Sequence, residues 1–421
     1  MPEKLLVISP YPSKKGVYDN QYSALASFAK NTLDSIINQK KSLRIKVLAD
    51  RIPLGKNWQN KNINVVRVWS RNNIFTFLPL IREIIKNMSY GKILIELEWG
   101  IFGRNPFILA LWPLFLVCLK LMRKKIFIVM HGIAVDFLKL SPQLGLNKKG
   151  FKTALYDTGI KYFYRSIISL SDEIIVLEKY FADLINLYFR TDKARFIPHG
   201  VDSKITKITK SKARKKLGLD NKSFLIINFG FINWYKGSDI IVDIFQKYVT
   251  RTNLRNNKIQ LVMAGGVSNI HFRDRYYKKF TEKILEKVAV TPEIKLTGYL
   301  SEADIGVYFA ASDLVILPYR LFISSSGPLS FALSYKKPFL LSRQLSGYFQ
   351  SPDFQSGLIK TKLKNEDLIF DPNILDFNKK LKNIRKKINK AKILSTYLYN
   401  QRKWSKIAPL YISLLKLNEN K

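Results

Sequence analysis

Short apolar runs alternate with longer amphipathic segments along the first half of the chain. Runs of this length, rich in Val, Ile and Leu and separated by helical patterns, are typical of buried strands in a parallel, doubly wound sheet. The predicted strands cover residues 4–9, 44–49, 64–69, 93–98, 126–131 and 173–177, and helices are predicted over 21–38 and 156–169.

The same alternation begins again after residues 197–202, Ile-Pro-His-Gly-Val-Asp. A basic connector, 203–222, precedes a fresh buried strand at 224–229, and a helix is predicted over 238–250. The pattern therefore predicts two α/β domains with a boundary near residue 203. The remaining predicted strands of the second domain cover 260–264, 293–297, 314–317 and 338–341.

Basic residues far outnumber acidic ones. The 421 residues include 71 Lys and Arg against 31 Asp and Glu, a formal net charge of +40. The excess favours an anionic partner, although Lys, Ile and Asn are all abundant and part of it is compositional bias. Because the charge is dispersed and no RNA-recognition or zinc-finger pattern occurs, nucleic acid is not the expected partner. The single cysteine, Cys118, excludes an intrachain disulfide, and the three histidines are too scattered to predict a metal site.

Two segments raise the question of a membrane surface. The apolar run 106–119 is followed by four basic residues between 120 and 125. A spanning helix needs about 20 apolar residues, so a buried or interfacial helix is favoured over one that dips into a bilayer face or crosses it. The first apolar run, 5–8, is too short for a signal peptide, and we expect a cytoplasmic protein.

The second segment is the end of the chain. Residues 371–421 carry 13 Lys and Arg against three acidic residues, a net charge of +10. Their apolar residues recur at helical spacing with basic residues between them. This pattern is typical of a solvated surface helix, or of a helix that faces a membrane. The apolar positions are Leu381, Ile384, Ile388 and Ala391.

Two loops after predicted strands have the composition of anion sites. Residues 230–237, Gly-Phe-Ile-Asn-Trp-Tyr-Lys-Gly, lie between a strand and a helix. Glycines allow close approach of a ligand, and a lysine at a helix start suits a phosphate. Residues 324–327, Ser-Ser-Ser-Gly, open a later helix, where free N–H groups attract anions. Each loop alone is explained equally well as a structural turn or an ordinary serine cap.

Taken together, the motifs resemble those of retaining GT-B glycosyltransferases, specifically glycosyltransferase family 4, over most of the chain. The family pattern has two glutamates and a glycine that fall here on Ile323, Phe331 and Lys336. A branch with Ser-Gly-x-Leu in their place is similar to residues 326–329. The segments that carry the resemblance are 12–18, 98–103, 130–133, 197–202, 230–237, 262–266, 298–300, 311–313 and 317–320.

The resemblance implies roles for particular residues. His131 would contact the donor sugar near the reacting carbon, Lys236 would neutralise diphosphate charge, and Arg320 would assist. His199 is interpreted as a turn residue and His271 as part of a surface loop. The implied donor-binding residues are Gly16, Gly230, Asn233, Gly237, Tyr299, Ser324, Ser325, Ser326 and Gly327.

The resulting hypothesis is a two-domain GT-B enzyme with Rossmann-like domains at 1–203 and 204–395, facing each other across a cleft. A final helix, 396–421, is expected to return to the first domain. The enzyme would transfer a sugar from a UDP- or GDP-sugar to a glycan or lipid-linked acceptor with retention, in cell-surface polysaccharide or glycoconjugate synthesis. No metal or other cofactor is expected.

The expected location is the inner face of the cell membrane, on anionic lipid. Two alternatives remain open from the sequence. One is a catalytically degenerate GT-B protein that only binds sugar nucleotides, since the paired glutamates are absent. The other, which rests on net charge alone, is a basic nucleic-acid-binding protein.

Overall fold

The computed structural model describes residues 2–14, 23–53, 55–98, 100–103, 105–134, 136–146, 150–202, 205–251, 258–267 and 275–417. The first domain is built on an eight-stranded sheet with the order β3-β4-β2-β1-β5-β6-β7-β8, in which only the β3–β4 pair is antiparallel. Its strands are β1 (Lys4–Ile8), β2 (Arg44–Asp50), β3 (Trp58–Gln59), β4 (Ile63–Trp69), β5 (Lys92–Leu97), β6 (Lys125–Met130), β7 (Glu173–Val176) and β8 (Ala194–Phe196). Its helices are α1 (Ser23–Gln39), α2 (Phe77–Ile85), α3 (Pro106–Leu121), α4 (Phe137–Leu140), α5 (Phe151–Leu170) and α6 (Lys179–Phe189), with a 3-10 turn at Ser141–Leu144.

The second domain contains a six-stranded parallel sheet with the order β11-β10-β9-β12-β13-β14, the Rossmann arrangement. Its strands are β9 (Phe224–Phe229), β10 (Ile259–Ala264), β11 (Ile294–Leu296), β12 (Leu314–Leu317), β13 (Phe339–Ser342) and β14 (Ile369–Phe370). The helices that follow the linker are α7 (Lys210–Leu217), α8 (Ser238–Arg251), α9 (Arg275–Ala289), α10 (Glu302–Ala311), α11 (Gly327–Ser334), α12 (Pro352–Thr361), α13 (Asn365–Leu368), α14 (Ile374–Lys386), α15 (Ile388–Arg402) and α16 (Trp404–Leu414), with a 3-10 segment at Arg343–Gln350.

Every strand predicted from the hydrophobic pattern is present within one residue of its predicted ends. The three strands that the pattern missed, β3, β8 and β14, have two or three residues each and lie at sheet edges. A strand of two or three residues is too short to show a hydrophobic pattern. An edge strand also pairs on one side only and buries few side chains, so its residues need not be apolar.

The chain crosses between the domains twice, and the two crossings touch. The backbone N–H of Val201 donates to the carbonyl of Arg402 over 2.8 Å, and Val201 forms a parallel bridge with Lys403. Helix α16 then packs on α1 of the first domain. This helix begins at Trp404 rather than near 396, because α15 continues to Arg402 with Leu398 buried in the core of the second domain.

The basic helical segment near the end of the chain does not offer an apolar face to a membrane. Leu381, Ile384 and Ala391 are at most 1% exposed and belong to the core of the second domain. Of the two interpretations left open, the surface helix is right and the membrane-facing helix is wrong for this segment. The lysines and arginines lie on the outer side because the inner side is already covered.

A buried ionic network joins the two domains beside the crossings. Arg402, 2% exposed at its side chain, pairs with Glu178 at 3.1 Å and with Asp353 at 2.6 Å. Glu178 precedes α6 of the first domain, and Asp353 lies in α12 of the second. Burial raises the pKa of Glu178, which Arg402 counteracts. Residues 324–327, directly before and at the start of α11, are here called the serine loop. Ser325 in this loop donates its hydroxyl to the same glutamate over 2.6 Å.

We predict that Arg402→Ala lowers the free energy of unfolding by roughly 3–5 kcal/mol, because it leaves two carboxylates without their buried cation. Chemical denaturation checks this. The matched control is Arg343→Ala, which removes a similar two-point pair with Asp371 whose side chains are 55% and 39% exposed. That change should cost less than about 1 kcal/mol. Equal losses in the two variants would contradict the prediction.

Candidate active site

The carboxyl ends of the two sheets face each other, and direct hydrogen bonds connect their loops. The N–H of Ile133, two residues after His131 and three after the end of β6, donates to the carbonyl of Ile323 over 2.6 Å. The N–H of Tyr235 donates to the side-chain oxygen of Gln143 over 3.1 Å. Ligands of doubly wound folds bind at these strand ends. The sequence analysis missed Gln143, since nothing local distinguishes a glutamine whose partner is 92 residues away.

The loop between β9 and α8 depends on two glycines. Gly230 has φ of +118° and Gly237 has φ of +70°, values that favour glycine. A Cβ on Gly237 would lie 1.9 Å from the carbonyl oxygen of Pro318, so the backbones of the two loops are in direct contact. Asn233 shapes the same turn, because its side chain accepts from the N–H of Tyr235 over 3.1 Å. A contact between Asn233 and the sugar-nucleotide donor stays a prediction.

Lys236 is a half-buried cation without an anionic partner. Among the residues that the structure describes, no carboxylate oxygen lies within 4.0 Å of its ammonium, although 24 such ion pairs occur elsewhere. Burial lowers its pKa to about 8. A Cβ built on Gly230 would lie 3.0 Å from the Lys236 ammonium and 3.8 Å from Pro328, so the ammonium is close to the start of α11. The loop thus presents an unpaired positive charge to the cleft side of the second sheet.

Arg320 holds this loop in place. Its guanidinium pairs with both carboxylate oxygens of Asp239, at 2.6 and 2.5 Å, and lies 5.0 Å from the ring centroid of Trp234. One of its nitrogens also donates to the Trp234 carbonyl over 2.8 Å. A guanidinium committed in this way supports a positioning role, and the predicted catalytic role of Arg320 is untested.

The serine loop combines interior hydrogen bonds with free groups. Ser326 caps α11 by accepting from the N–H of Leu329, bonds the Tyr319 hydroxyl over 3.0 Å, and donates its own N–H to the Tyr348 hydroxyl. In the described part of the chain, neither the hydroxyl of Ser324 nor the N–H of Gly327 has a hydrogen-bond partner. The helix therefore begins with donors that are available to an anion.

The positions at which the family pattern has glutamates and glycine are filled differently. Ile323 contributes its backbone carbonyl to the contact between domains, as above. The ring of Phe331 packs on Phe309 and Phe229, with centroid distances of 5.5 and 5.4 Å. Lys336 adopts φ of +52°, the left-handed conformation that a glycine takes most easily. The backbone therefore follows the family pattern here, while two carboxylates are replaced by apolar side chains.

Two aromatic rings lie at the outer end of the cleft in the second domain. Tyr299 is 75% exposed, and its ring lies nearly parallel to that of Phe231, at 25° and 6.4 Å between centroids. A pair of exposed, parallel rings is a platform on which a planar group can stack. The sequence predicted a donor-binding role for Tyr299 and none for Phe231, although Phe231 belongs to the 230–237 loop and directly follows Gly230.

His131 lies at the end of β6, where the sequence placed it. Its backbone N–H donates to the Leu97 carbonyl over 2.9 Å, and its ring Nε2 lies 2.6 Å from Oε2 of Glu96. The ring of Phe28 meets the imidazole edge-on at 4.7 Å. Glu96 was missed, although a glutamate inside a run of Ile and Leu was a visible signal of a buried carboxylate that needs a partner.

His199 contacts residues of both domains. Burial lowers the pKa of His199 to about 4, and its Nδ1 lies 2.7 Å from the Gly200 carbonyl and 3.0 Å from the Ser330 hydroxyl. Its interpretation as a turn residue stays a prediction. Gly16 and His271 lie outside the described residues. Within the described ranges, no three His, Cys, Asp or Glu side chains come together as metal ligands.

Residues 209–343, which include the Lys236 loop and the serine loop, match the sequence profile of the family described as glycosyl transferases group 1. This match identifies a glycosyltransferase. No curated protein sequence matches the chain significantly. The assignment to glycosyltransferase family 4, and to its branch with Ser-Gly-x-Leu, stays a prediction.

Solved structures share the fold of the whole chain at low identity. Sucrose-phosphate synthase from Thermosynechococcus elongatus is 14% identical, with a TM-score of 0.70 over 99% of this chain and 98% of its own. HepE from Anabaena, in complex with UDP-glucose, is 15% identical, with a TM-score of 0.63 over 98% and 99%. A glycosyltransferase from Rickettsia africae is 14% identical, with a TM-score of 0.65 over 100% and 99%. These similarities confirm the predicted GT-B fold.

We predict that Gly237→Ala disrupts the Lys236 loop, since the added Cβ would meet the Pro318 carbonyl at 1.9 Å and a positive φ. A loss of roughly 1–3 kcal/mol of stability is expected, the scale of a strained backbone position, with nucleotide binding lost alongside. Thermal unfolding and calorimetric titration with UDP and GDP measure the two effects. Gly159→Ala is the control, because a Cβ there meets nothing within 4 Å and alanine favours α5. A Gly237→Ala variant with parental stability and affinity would contradict this account.

Proposed function

We propose that the protein transfers a sugar from a nucleoside-diphosphate-sugar, UDP- or GDP-linked, to an acceptor with retention of configuration. The observation that carries the proposal is Lys236: an ammonium without a carboxylate partner among the described residues, held by two glycines beside the start of α11. A buried cation without a counter-ion is costly. A diphosphate placed there would supply the missing charge, and Gly327 at the start of α11 would add its N–H at the same place.

In this mechanism the bond between the sugar carbon and the diphosphate oxygen breaks, and negative charge develops on the diphosphate. Lys236 and the start of α11 stabilise that charge, and this electrostatic term is the main catalytic contribution. The acceptor hydroxyl attacks from the side that the diphosphate leaves. Its proton passes to the departing diphosphate oxygen. No metal is needed for this scheme, because protein cations and N–H groups neutralise the leaving group.

The other residues of the cleft would bind either the sugar-nucleotide donor or the acceptor. Tyr299 and Phe231 would stack on the nucleobase, and His131 would contact the sugar near its reacting carbon. HepE, which shares the fold, has been solved with UDP and with UDP-glucose. The acceptor would approach from the first domain and be a glycan or a lipid-linked glycan, as in cell-surface polysaccharide or glycoconjugate synthesis.

The alternative is a GT-B protein that binds sugar nucleotides without turning them over. Apolar Phe331 in place of a family glutamate is the observation that favours it. A screen of UDP- and GDP-sugars for hydrolysis and for transfer by the purified protein separates the two. Release of nucleoside diphosphate, abolished in Lys236→Met, supports the enzyme, and tight binding without release supports the alternative. The nucleic-acid hypothesis would need salt-sensitive binding of RNA or DNA that competes with no nucleotide sugar.

We predict that Lys236→Met weakens UDP or GDP binding at pH 7 by roughly 1.5–3 kcal/mol, the scale of a hydrogen bond to a charged group. The parent should also lose affinity as pH rises from 7 to 9, because the free ammonium, with a pKa of about 8, deprotonates in that window. The variant should lose this pH dependence. Calorimetry at pH 7, 8 and 9 measures both effects. Lys222→Met, an exposed lysine before β9 at the opposite edge of the sheet, is the control.

We further propose that the protein attaches to the anionic inner face of the membrane through helices α2, α3 and α5. In α3, Trp112 and Leu116 are buried in the core of the first domain, while the opposite side remains apolar and exposed. Neighbouring helices continue this surface, since α3 packs against both α2 and α5. Exposed apolar surface of this extent marks an interaction site. The surface, here called the apolar face, comprises Leu78, Ile85, Phe107, Leu114, Leu121, Leu155 and Tyr162, each at least 54% exposed.

Exposed cations lie on or just after the same three helices: Arg82, Lys86, Arg123, Lys152 and Arg165. Lys124 does not join them, because it is 3% exposed and donates to the carbonyls of Met88 and Tyr90. No helix among the described residues is both long and apolar enough to cross a bilayer. A peripheral helix layer that also carries exposed cations fits an anionic lipid surface.

We predict that the protein floats with anionic vesicles at low salt and less so at high salt, because salt screens the attraction of the exposed cations. The triple change Leu114→Ser, Leu121→Ser and Phe107→Ser should reduce flotation at least about tenfold, since each buried apolar side chain contributes roughly 1.5–3 kcal/mol. Ile359→Ser with Leu375→Ser, at positions 80% and 76% exposed on the second domain, is the control. Absence of flotation with either vesicle would contradict the proposal.

A further inference from the structure

Glu96 is a carboxylate enclosed in the first domain, and no lysine or arginine of the described ranges pairs with it. It lies in β5 and is completely buried. Its Oε2 lies 2.6 Å from Nε2 of His131, while its Oε1 has no hydrogen-bond partner among the described residues. Burying an ionised carboxylate without a matching partner is among the most costly arrangements in a protein.

Two other completely buried carboxylates, Asp50 and Glu178, are paired with arginine. Asp50 lies 3.0 Å from a nitrogen of Arg71, and Glu178 lies 3.1 Å from one of Arg402. For Glu96, the structure as described offers no lysine or arginine within 4.0 Å, and the only ion-pair partner is His131. Stability does not account for a carboxylate that is buried in this way. The role of Glu96 therefore concerns His131, the residue it contacts.

The geometry restricts what the histidine can do. A carboxylate only accepts hydrogen bonds, so its partner Nε2 carries a proton. The hydrogen bond at one ring nitrogen decides the state of the other. In the neutral ring, Nδ1 is then left with a free lone pair. The edge of Phe28, 4.7 Å away, packs against the imidazole and opposes a flip.

We propose that Glu96 is a positioning residue that fixes the ring orientation and the Nε2–H tautomer of His131, so that Nδ1 is the atom offered to substrate. In terms of the proposed function, on which this second part rests, Nδ1 accepts a hydrogen bond from a hydroxyl of the donor sugar. Glu96 itself touches no substrate. It determines which substrate groups His131 can bind: hydrogen-bond donors, and not carbonyl or ether oxygens.

The first test reads the tautomer directly, without any substrate. Ring ¹⁵N shifts of histidine-labelled full-length protein at pH 8, assigned with His131→Gln, should show a protonated Nε2 and an unprotonated Nδ1 for His131. Glu96→Gln, whose amide can donate or accept, should shift this population toward a mixture of tautomers. Asp50→Asn is the matched control: it removes the charge of a buried carboxylate in the same sheet, does not touch His131, and should leave the His131 shifts unchanged. A protonated Nδ1 in the parent protein would overturn the proposal.

The second test separates positioning from a structural role. Glu96→Gln should lower kcat for transfer by at least about tenfold, the scale of a misplaced reacting group, with Kd for UDP or GDP within about threefold of the parent. Its melting temperature should stay equal or rise, because an unpaired buried charge is removed. Glu96→Asp, which keeps the carboxylate, should recover part of kcat and the parental tautomer.

The two layers of the proposal fail in different ways. If no donor is ever turned over, the proposed function falls, while the ¹⁵N shifts still decide whether Glu96 sets the tautomer. If transfer is observed and Glu96→Gln has parental kcat, the positioning role is overturned and the glycosyltransferase function stands. A fall in melting temperature that accompanies the fall in kcat, with unchanged His131 shifts, would assign Glu96 a structural role and also overturn the proposal.

Discussion

The arrangement of the two domains depends on the buried guanidinium of Arg402. It lies where the chain crosses back to the first domain, and it pairs with one carboxylate from each domain. Since a buried charge that loses its partner is strongly destabilising, the domains cannot separate at this point without exposing or abandoning these charges. The serine loop is attached to the same network through Ser325 and Glu178. The position of one anion-binding loop is thus set by contacts between domains.

The second anion-binding loop is set within its own domain. Gly237 lies in contact with the Pro318 backbone, and Arg320 fixes the loop through Asp239 and Trp234. These contacts hold Lys236 beside the start of α11, where, in the described part of the chain, no carboxylate pairs with its ammonium. In a chain with a net charge of +40, most exposed lysines are simply solvated. What distinguishes Lys236 is confinement, because burial lowers its pKa and makes an anionic ligand favourable.

The two domains differ in how completely the apolar sides of their helices are covered. In the second domain, α14 and α15 bury Leu381, Ile384 and Ala391 in the core, while Leu375 and Ile393 are apolar side chains that stay exposed. In the first domain, α3 is apolar on both sides, so one side packs on the sheet while Leu114 and Leu121 stay exposed. In the sequence, both segments combine a block of apolar residues with neighbouring basic residues. The decisive difference is whether a second packing partner is present, which the tertiary structure alone reveals.

The sequence by itself determined the order and ends of the long strands, the two-domain division and the loops that carry Gly230, Lys236 and the serines. These features are local, because a buried parallel strand is a run of apolar residues and a tight loop needs its glycines where they stand. The contacts that build the site come from residues far apart: Glu96 with His131, Glu178 with Ser325, and Arg320 with Asp239, 35, 147 and 81 residues apart. No local pattern encodes such pairs. The tertiary structure decided them, because parallel strands bring distant carboxyl ends to one edge and burial favours pairs between the polar groups that meet there.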